Sequence, residues 1–353
     1  MKRVLFLYSR VSGYFLRCVE ELTARGCAVT LINWPTHSEA PFKIQLPKGC
    51  NAFRRDELSE KRLIDIARDF EPDLIFTSGW MDSGYLECLR KLKPKTPVIL
   101  MMDTKWRGNI KQQCNCLLSK LKLGPSRLFT HAWVAGTLQA KYAYKLGIPR
   151  ARVKLGVYCA DTANFAEIFA RRDVNKIQKR FLYVGRYVQR KGLEELWKAF
   201  TNFREKMPDW ELHCVGTGEG WDQRPCAKGI VHHGFQQPSQ LEPILQSAAA
   251  FVMPSRFEAW GVALQEMAVS GLPLIASSEV GACERFLEDN RNGFLTLPRS
   301  VKSIETALQR FSTLSMSEVK QMGSRSHKLG ISYTPKHWAD NALSFLQFER
   351  PED

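Results

Sequence analysis

Short apolar runs recur along the second half of the chain, and most of them end in glycine or serine. They lie at residues 180–186, 210–218, 230–235, 249–255 and 272–277. Runs of this length bounded by turn residues predict buried strands. Between them fall amphipathic stretches, the clearest at 193–205, which predict helices. Strands alternating with helices predict a parallel α/β sheet. The first half reads the same way, with strands at 4–8, 29–32, 74–77, 98–101, 132–135 and 153–156. A helix near 14–25 follows the first strand across Ser12-Gly13. A chain of 353 residues has room for two domains, each with its own core. The charged segment 163–179, which reads as helix or linker, marks the break and gives domains over 1–165 and 166–334. Apolar residues at helical spacing over 335–348 predict a final helix, within a closing segment 335–353.

In open parallel sheets, ligands bind beyond the carboxyl ends of the strands. Gly185, Gly216, Gly234 and Ser255 all fall at such ends. Arg186, Arg190, Lys191, Glu258 and a helix starting at Gly261 are therefore expected to converge. Glu258 lies in a loop. Glu266 lies on the predicted helix 261–270, roughly 8 Å along its axis from Gly261 at ~1.5 Å per residue. The first turn of that helix offers free amides and a positive dipole end, which suit a phosphate. Gly261 lets a ligand approach its backbone, and the two carboxylates can accept bonds from hydroxyls on either side. Two glutamates eight apart are common on solvated helix faces; the neighbouring motifs change the picture. Ribose hydroxyls, a diphosphate and sugar hydroxyls would match the pattern, as in a nucleoside diphosphate sugar.

The motifs occur in a definite order. They are Val184-Gly185-Arg186 with Lys191-Gly192, then Cys214 to Gly218, then Gly234-Phe235 and Met253-Pro254-Ser255. The pair Glu258 and Glu266 follows, then Gly271-Leu272-Pro273 and Asn292-Gly293-Phe294-Leu295. Together, over about 180–297, they resemble the C-terminal domain of the retaining, sugar-nucleotide-dependent glycosyltransferases of family four. The resemblance implies the GT-B fold: two Rossmann-like α/β domains facing across a cleft, with a C-terminal helix crossing back to the N-terminal domain. It implies an acceptor-binding first domain and a donor-binding second one. It implies catalytic roles for Arg186 and Lys191 on the donor diphosphate and for Glu258 on the sugar hydroxyls. Glu266 would hold the ribose, and the backbone near Phe235 the base. Gly216, Gly261 and Val262 would lie along the diphosphate or sugar, and Gly13 would face the donor phosphates. Hexosyl transfer would retain anomeric configuration through same-face attack assisted by the leaving phosphate, with no cofactor and no metal.

The first half departs from the family pattern. It has one glycine at the first turn where the family often has a pair. The acceptor-side histidine is missing; Met102-Asp103-Thr104-Lys105-Trp106-Arg107 stands in its place. Asp103, with Trp106 and Arg107, becomes the acceptor-side candidate.

Charge sharpens the reading of this half. The chain carries +15 overall, and residues 90–154 hold fifteen Lys or Arg against one acid, Asp103. Trp106, Leu117, Leu118, Leu121, Leu123 and Phe129 are interleaved with them. A basic, partly apolar helix over 110–123 suits an anionic membrane surface, where each cation contributes about 1 kcal/mol. No nucleic-acid motif is visible, so nucleic acid is not an expected partner. No apolar run is long enough to span a membrane, and the N-terminal run is shorter than a signal peptide's. Ten cysteines without paired spacing read as free thiols of a reducing cytosol rather than a metal site.

The combined expectation is a cytoplasmic glycosyltransferase, peripheral on the inner face of the cytoplasmic membrane. It would move a sugar to a lipid-linked, lipopolysaccharide or polysaccharide acceptor. A transferase with a soluble acceptor is the nearest alternative. A sugar-nucleotide epimerase of related fold would need acid/base groups near the sugar, and no convincing set stands out. A non-catalytic basic protein that binds membranes or nucleic acid is the alternative of another class. The presence of Arg186, Lys191, Glu258 and Glu266 argues against it.

Overall fold

The computed structural model describes residues 1–35, 45–92, 96–121 and 123–347. Lys122 of the expected 110–123 helix and residues 348–353 of the closing segment lie outside the described residues. The chain divides into two compact units, Met1–Cys159 with Pro335–Asp353, and Ala160–Thr334.

The first unit runs β1 (Arg3–Arg10), α1 (Gly13–Ala24), β2 (Ala28–Trp34), β3 (Cys50–Arg54), α2 (Glu60–Phe70), β4 (Leu74–Ser78), α3 (Ser83–Leu92), β5 (Val98–Met102), α4 (Ile110–Lys120), β6 (His131–Val134), α5 (Thr137–Lys145) and β7 (Val153–Leu155). Its sheet has the order β3-β2-β1-β4-β5-β6-β7, and every pairing is parallel. The central strands are continuous apolar runs because helices cover both faces. Val4, Leu5, Phe6 and Leu7 are all fully buried. β3 escapes the hydrophobic pattern because it is an edge strand, half exposed and polar. Edge strands carry little of the core's signature.

The second unit runs α6 (Thr162–Ala170), β8 (Arg180–Val184), α7 (Leu193–Lys206), β9 (Glu211–Val215), β10 (Ile230–Gly234), α8 (Glu242–Ser247), β11 (Ala250–Met253), α9 (Val262–Val269), β12 (Leu274–Ser277), α10 (Cys283–Phe286), β13 (Gly293–Thr296), α11 (Val301–Ser312) and α12 (Met316–Gly330). Its parallel sheet has the order β10-β9-β8-β11-β12-β13. Phe181 stacks on Trp210 at 4.5 Å, and Phe203 and Phe311 close the cluster edge-on.

Both units are therefore Rossmann-like. The dividing point falls after Cys159, six residues before the one drawn from the charge pattern. The reason is packing: α6 lies against α9, and the Ala160 amide donates to Gln265 Oε1 at 2.8 Å. Of the two readings of the charged segment, the structure shows the helix: α6 and a following turn.

The last helix, α13 (Pro335–Leu343), returns to the first unit and packs on α1. Its anchor is Trp338, buried against Trp133 (4.7 Å), Phe15 (6.1 Å) and Phe6 (6.3 Å). The indole N–H donates to the Val157 carbonyl at 2.9 Å, so the ring is buried without an orphaned donor. Among the described residues, no helix is long and apolar enough to cross a membrane.

Candidate active site

In the second unit, the carboxyl ends of three strands are laced together by their backbones. Gly185 N–H donates to Val215 O (3.0 Å), Gly216 N–H to Gly234 O (2.8 Å) and Tyr187 N–H to Thr217 O (2.8 Å). Gly216 has φ +130°, and a Cβ there would run into the Gly185 carbonyl. Only glycine lets β8 and β9 end this close together. Gly192 solves a similar problem one loop on, where a Cβ would strike the Pro254 carbonyl. The Arg256 and Phe257 amides then donate to Arg190 O at 2.9 and 3.3 Å. These contacts seat the 189–191 turn against the 254–258 loop.

The consequence is a three-residue charge cluster. Buried Glu258 accepts, at Oε2 alone, from Lys191 Nζ and from Arg190 Nη1 (3.2 Å). The Lys191 side chain is 12% exposed and that of Arg190 41%. Burial by itself would push the Glu258 carboxyl up. Lys191 and then Arg190 outweigh it and hold the group below the usual carboxylate value. Burial pulls the Lys191 ammonium below its usual value, against the attraction of Glu258. Among the described residues, Glu258 Oε1 accepts no hydrogen bond. The cluster thus presents one open carboxylate oxygen beside two cations.

Gly261 stands at the N-cap of α9 in the left-handed region (φ +99°), 3.1 Å from Glu258 Cγ at the position a Cβ would take. Val262 opens the helix, one residue later than the sequence suggested. Gln265 fixes α9 from behind, its Nε2 donating to Gly330 O (3.1 Å) and Tyr333 O (2.8 Å). Glu266, on the next position, is half-buried and has no side-chain partner among the described residues. Burial, with a smaller push from Asp161, raises its carboxyl to about 7. An unpartnered carboxyl held there has hydrogen-bonding capacity to spare.

Arg186 follows β8 directly, partly buried, with its carbonyl accepting the Tyr183 hydroxyl at 2.9 Å. Phe235 follows β10 and is also partly buried. The structure brings Lys191, Glu258 and Gly261 into direct contact with one another's surroundings. Lys191 is the ion-pair partner of Glu258. Arg190, which the motif match left without a role, completes the cluster. Its alternation with Lys191 across a tight turn carries no periodic signal.

The remaining candidates lie in the first unit. Gly13 opens α1 and is exposed, and a Cβ there would meet nothing within 4 Å. Asp103 Oδ2 accepts from the Tyr158 hydroxyl at 3.1 Å, and Tyr14 meets Tyr158 edge-on. That tyrosine contact joins residues 55 positions apart and leaves no local trace in the sequence. Trp106 packs on Tyr142 (5.6 Å) beneath Lys145 Nζ (4.8 Å). The Arg107 amide donates to Oε1 of buried Gln112 at 2.8 Å, which ties the loop to α4. On α4 itself Gln112 is the buried residue. Ile110, Leu117, Leu118 and Leu121 recur at helical spacing and are exposed, from 42% at Leu118 to 80% at Ile110.

Comparison with known proteins agrees with the second unit's architecture. Residues 164–328 match the family described as Glycosyl transferases group 1. An uncharacterized glycosyltransferase of Methanocaldococcus jannaschii is 29% identical over 140 residues, 38% of this chain and 35% of its own. A phosphatidyl-myo-inositol mannosyltransferase of Mycobacterium leprae is 31% identical over 126 residues, 34% and 33% of the two chains. The chain thus spans about a third of the length of the curated relatives it matches. Anabaena HepE, solved in complex with UDP and glucose, superimposes with a TM-score of 0.70. It covers 98% of this chain and 99% of its own at 13% identity. The resemblance to GT-B glycosyltransferases stands: the chain shares their fold, and residues 164–328 match the group 1 sequence model.

Proposed function

We propose that the chain is a retaining glycosyltransferase that transfers a hexose from a nucleoside diphosphate sugar to a glycan or lipid-linked acceptor. The observation that carries this reading is the Lys191–Glu258–Arg190 cluster at the carboxyl edge of the second sheet, beside the start of α9. Lys191 has three N–H donors. It keeps Glu258 with one and offers the others to a diphosphate. Glu258 Oε1 accepts from a sugar hydroxyl, and Glu266 accepts from the ribose. As the bond from the anomeric carbon to the diphosphate breaks, the electron pair goes to the phosphate oxygen. Arg186, Arg190 and Lys191 stabilise that charge in place, without reorganisation. The acceptor hydroxyl attacks the same face, and its proton passes to the leaving phosphate. The UDP bound to the Anabaena protein supports a uridine donor. These cations suffice for the leaving group, so chelation of divalent metal should leave activity unchanged.

The outward apolar stripe of α4, in the basic 90–154 region, supports docking on an anionic membrane at the cytoplasmic face. The lipid acceptor named for the Mycobacterium leprae relative supports the same choice. Incubation with a panel of nucleotide sugars tests the enzyme. At least one should raise the melting temperature and undergo slow hydrolysis without acceptor. A protein inert to every donor overturns the proposal. Flotation with phosphatidylglycerol vesicles at low salt tests the docking, and no binding there removes it.

A further inference from the structure

At the carboxyl edge of the first unit's sheet lies a pocket of about 340 Å³, lined by Arg10, Trp34, Ser78, Met81 and Asp82 among others. It opens where the strand order turns, β2 on one side of β1 and β4 on the other. Open parallel sheets bind ligands at such a point, and this volume is within the range of roughly 300–1,000 Å³ usual for small-molecule sites.

The walls are built for a particular chemistry. Trp34 is 38% exposed, yet its ring is fixed. Its Nε1–H donates to Asp82 Oδ2 at 2.8 Å, and the Arg55 guanidinium lies over the ring at 5.6 Å. Arg55 Nε also donates to Asp82 Oδ2 (3.2 Å), and both of these side chains are nearly buried. Asp82 Oδ1 in turn accepts the Tyr85 amide at 3.0 Å. An indole whose polar edge is committed to a carboxylate offers only its apolar face. Met81, 83% exposed, adds a thioether beside it. The Arg55–Asp82 pair is neutral. Arg10 is the lining charge left over, exposed and without a partner among the described residues. Ser9 and Ser78 add hydroxyls to the rim, the latter accepting the Ser9 amide at 2.6 Å.

The geometry points to this pocket as the seat of a saccharide acceptor that carries an anionic group. The sugar's C–H face lies on Trp34, its phosphate or carboxylate meets Arg10, and its hydroxyls face the serines. A single open platform fits a pyranose better than a nucleobase, which is usually gripped on both faces. Arg10 supplies the bidentate, permanently charged recognition that phosphate and carboxylate favour. The inference rests on the transferase reading, since it assigns that reaction's acceptor. It also relocates the expected acceptor contacts from Asp103, Trp106 and Arg107 to the β1–β4 edge.

Calorimetric titration of the full chain with glucose 6-phosphate and with glucuronate tests it. Methyl glucoside, inorganic phosphate and adenosine 5′-phosphate serve as comparison ligands, and UDP reports the second unit. One anionic sugar should bind at least about tenfold more tightly than methyl glucoside or phosphate alone, a difference of ~1.4 kcal/mol. Arg10→Gln and Trp34→Leu should each weaken it by about tenfold or more. Trp34→Phe, which keeps the platform, should stay within about threefold of the parent. Every variant should melt near the parent and keep its UDP affinity. The inference is overturned if neither anionic sugar binds, if either variant binds as the parent does, or if adenosine 5′-phosphate binds best. Those results with intact UDP binding leave the transferase reading standing; loss of UDP binding in the parent undermines both.

Discussion

Glu266 offers the sharpest test of the donor site, because its ligand role and its folding cost have opposite signs. Burial raises its carboxyl from the ordinary 4.5 to about 7. That is roughly a 300-fold change in proton affinity, or ~3 kcal/mol for a fully buried group. The side chain is half-buried, and solvent screening reduces this to ~1–2 kcal/mol. The folded state binds the proton more tightly than the unfolded state does. Stability from this group is therefore complete below the unfolded value near 4.5 and is lost as pH rises through about 7. Glu266→Gln removes the titration. At pH 8 the variant should be more stable than the parent by ~1–2 kcal/mol, or about 2–6 °C in the melting temperature of a unit of this size. At pH 4.5 the two should coincide. The same substitution should weaken UDP binding by about tenfold, since an amide accepts less well than a carboxylate. Calorimetric scans across pH 4.5–8.5, with and without UDP, report both effects. Parallel melting curves for parent and variant at every pH would refute the burial argument. Unchanged UDP affinity would refute the ribose role.

Lys191→Ala leaves Glu258 buried with Arg190 alone, so it should cost ~2–4 kcal/mol of stability as well as activity. Pairing Lys191→Met with Glu258→Gln should recover most of the stability and none of the activity, read as a coupling above ~1 kcal/mol in a double-mutant cycle. Gly216→Ala should cost ~1–3 kcal/mol in thermal melts through backbone strain at the β8–β9 ends. Leu117→Asp with Leu121→Asp should abolish vesicle flotation while shifting stability by less than ~0.5 kcal/mol for each exposed residue.

Hydrophobic runs revealed the buried strands because helices cover both faces of each sheet and leave the central strands continuously apolar. They missed β3, whose Cys50–Arg54 stretch lies at an edge and is bounded by polar neighbours. Glu258 and Glu266 stood out in the sequence because motifs in a definite order surround them. What the spacing hid was the ion pairing. Lys191 and Arg190 reach Glu258 across 67 and 68 positions, through two loops that glycine lets approach. The first unit's β1–β4 pocket was not legible for the same reason. Arg10 and Trp34 end β1 and β2, Asp82 sits in the loop between β4 and α3, and only the sheet order joins them. The charged run 163–179 placed the break six residues late because α6, whose one charged side chain is Glu167, buries Phe165 and Ile168 in the core, and Arg172 just beyond it donates to the Leu245 and Ala248 carbonyls.

Trp338 also sets an order of events during synthesis. Phe6, Phe15 and Trp133 leave the ribosome early, but the ring that covers them is encoded after the whole of Ala160–Thr334. At ~5–20 residues per second, the nascent first unit waits roughly 10–35 s with that aromatic patch uncovered. The second unit, contiguous in the chain, can complete its core in the meantime. The half of the protein made first is thus the half finished last, and it is the half a chaperone would hold. Moving α13 ahead of β1 by circular permutation would remove the wait.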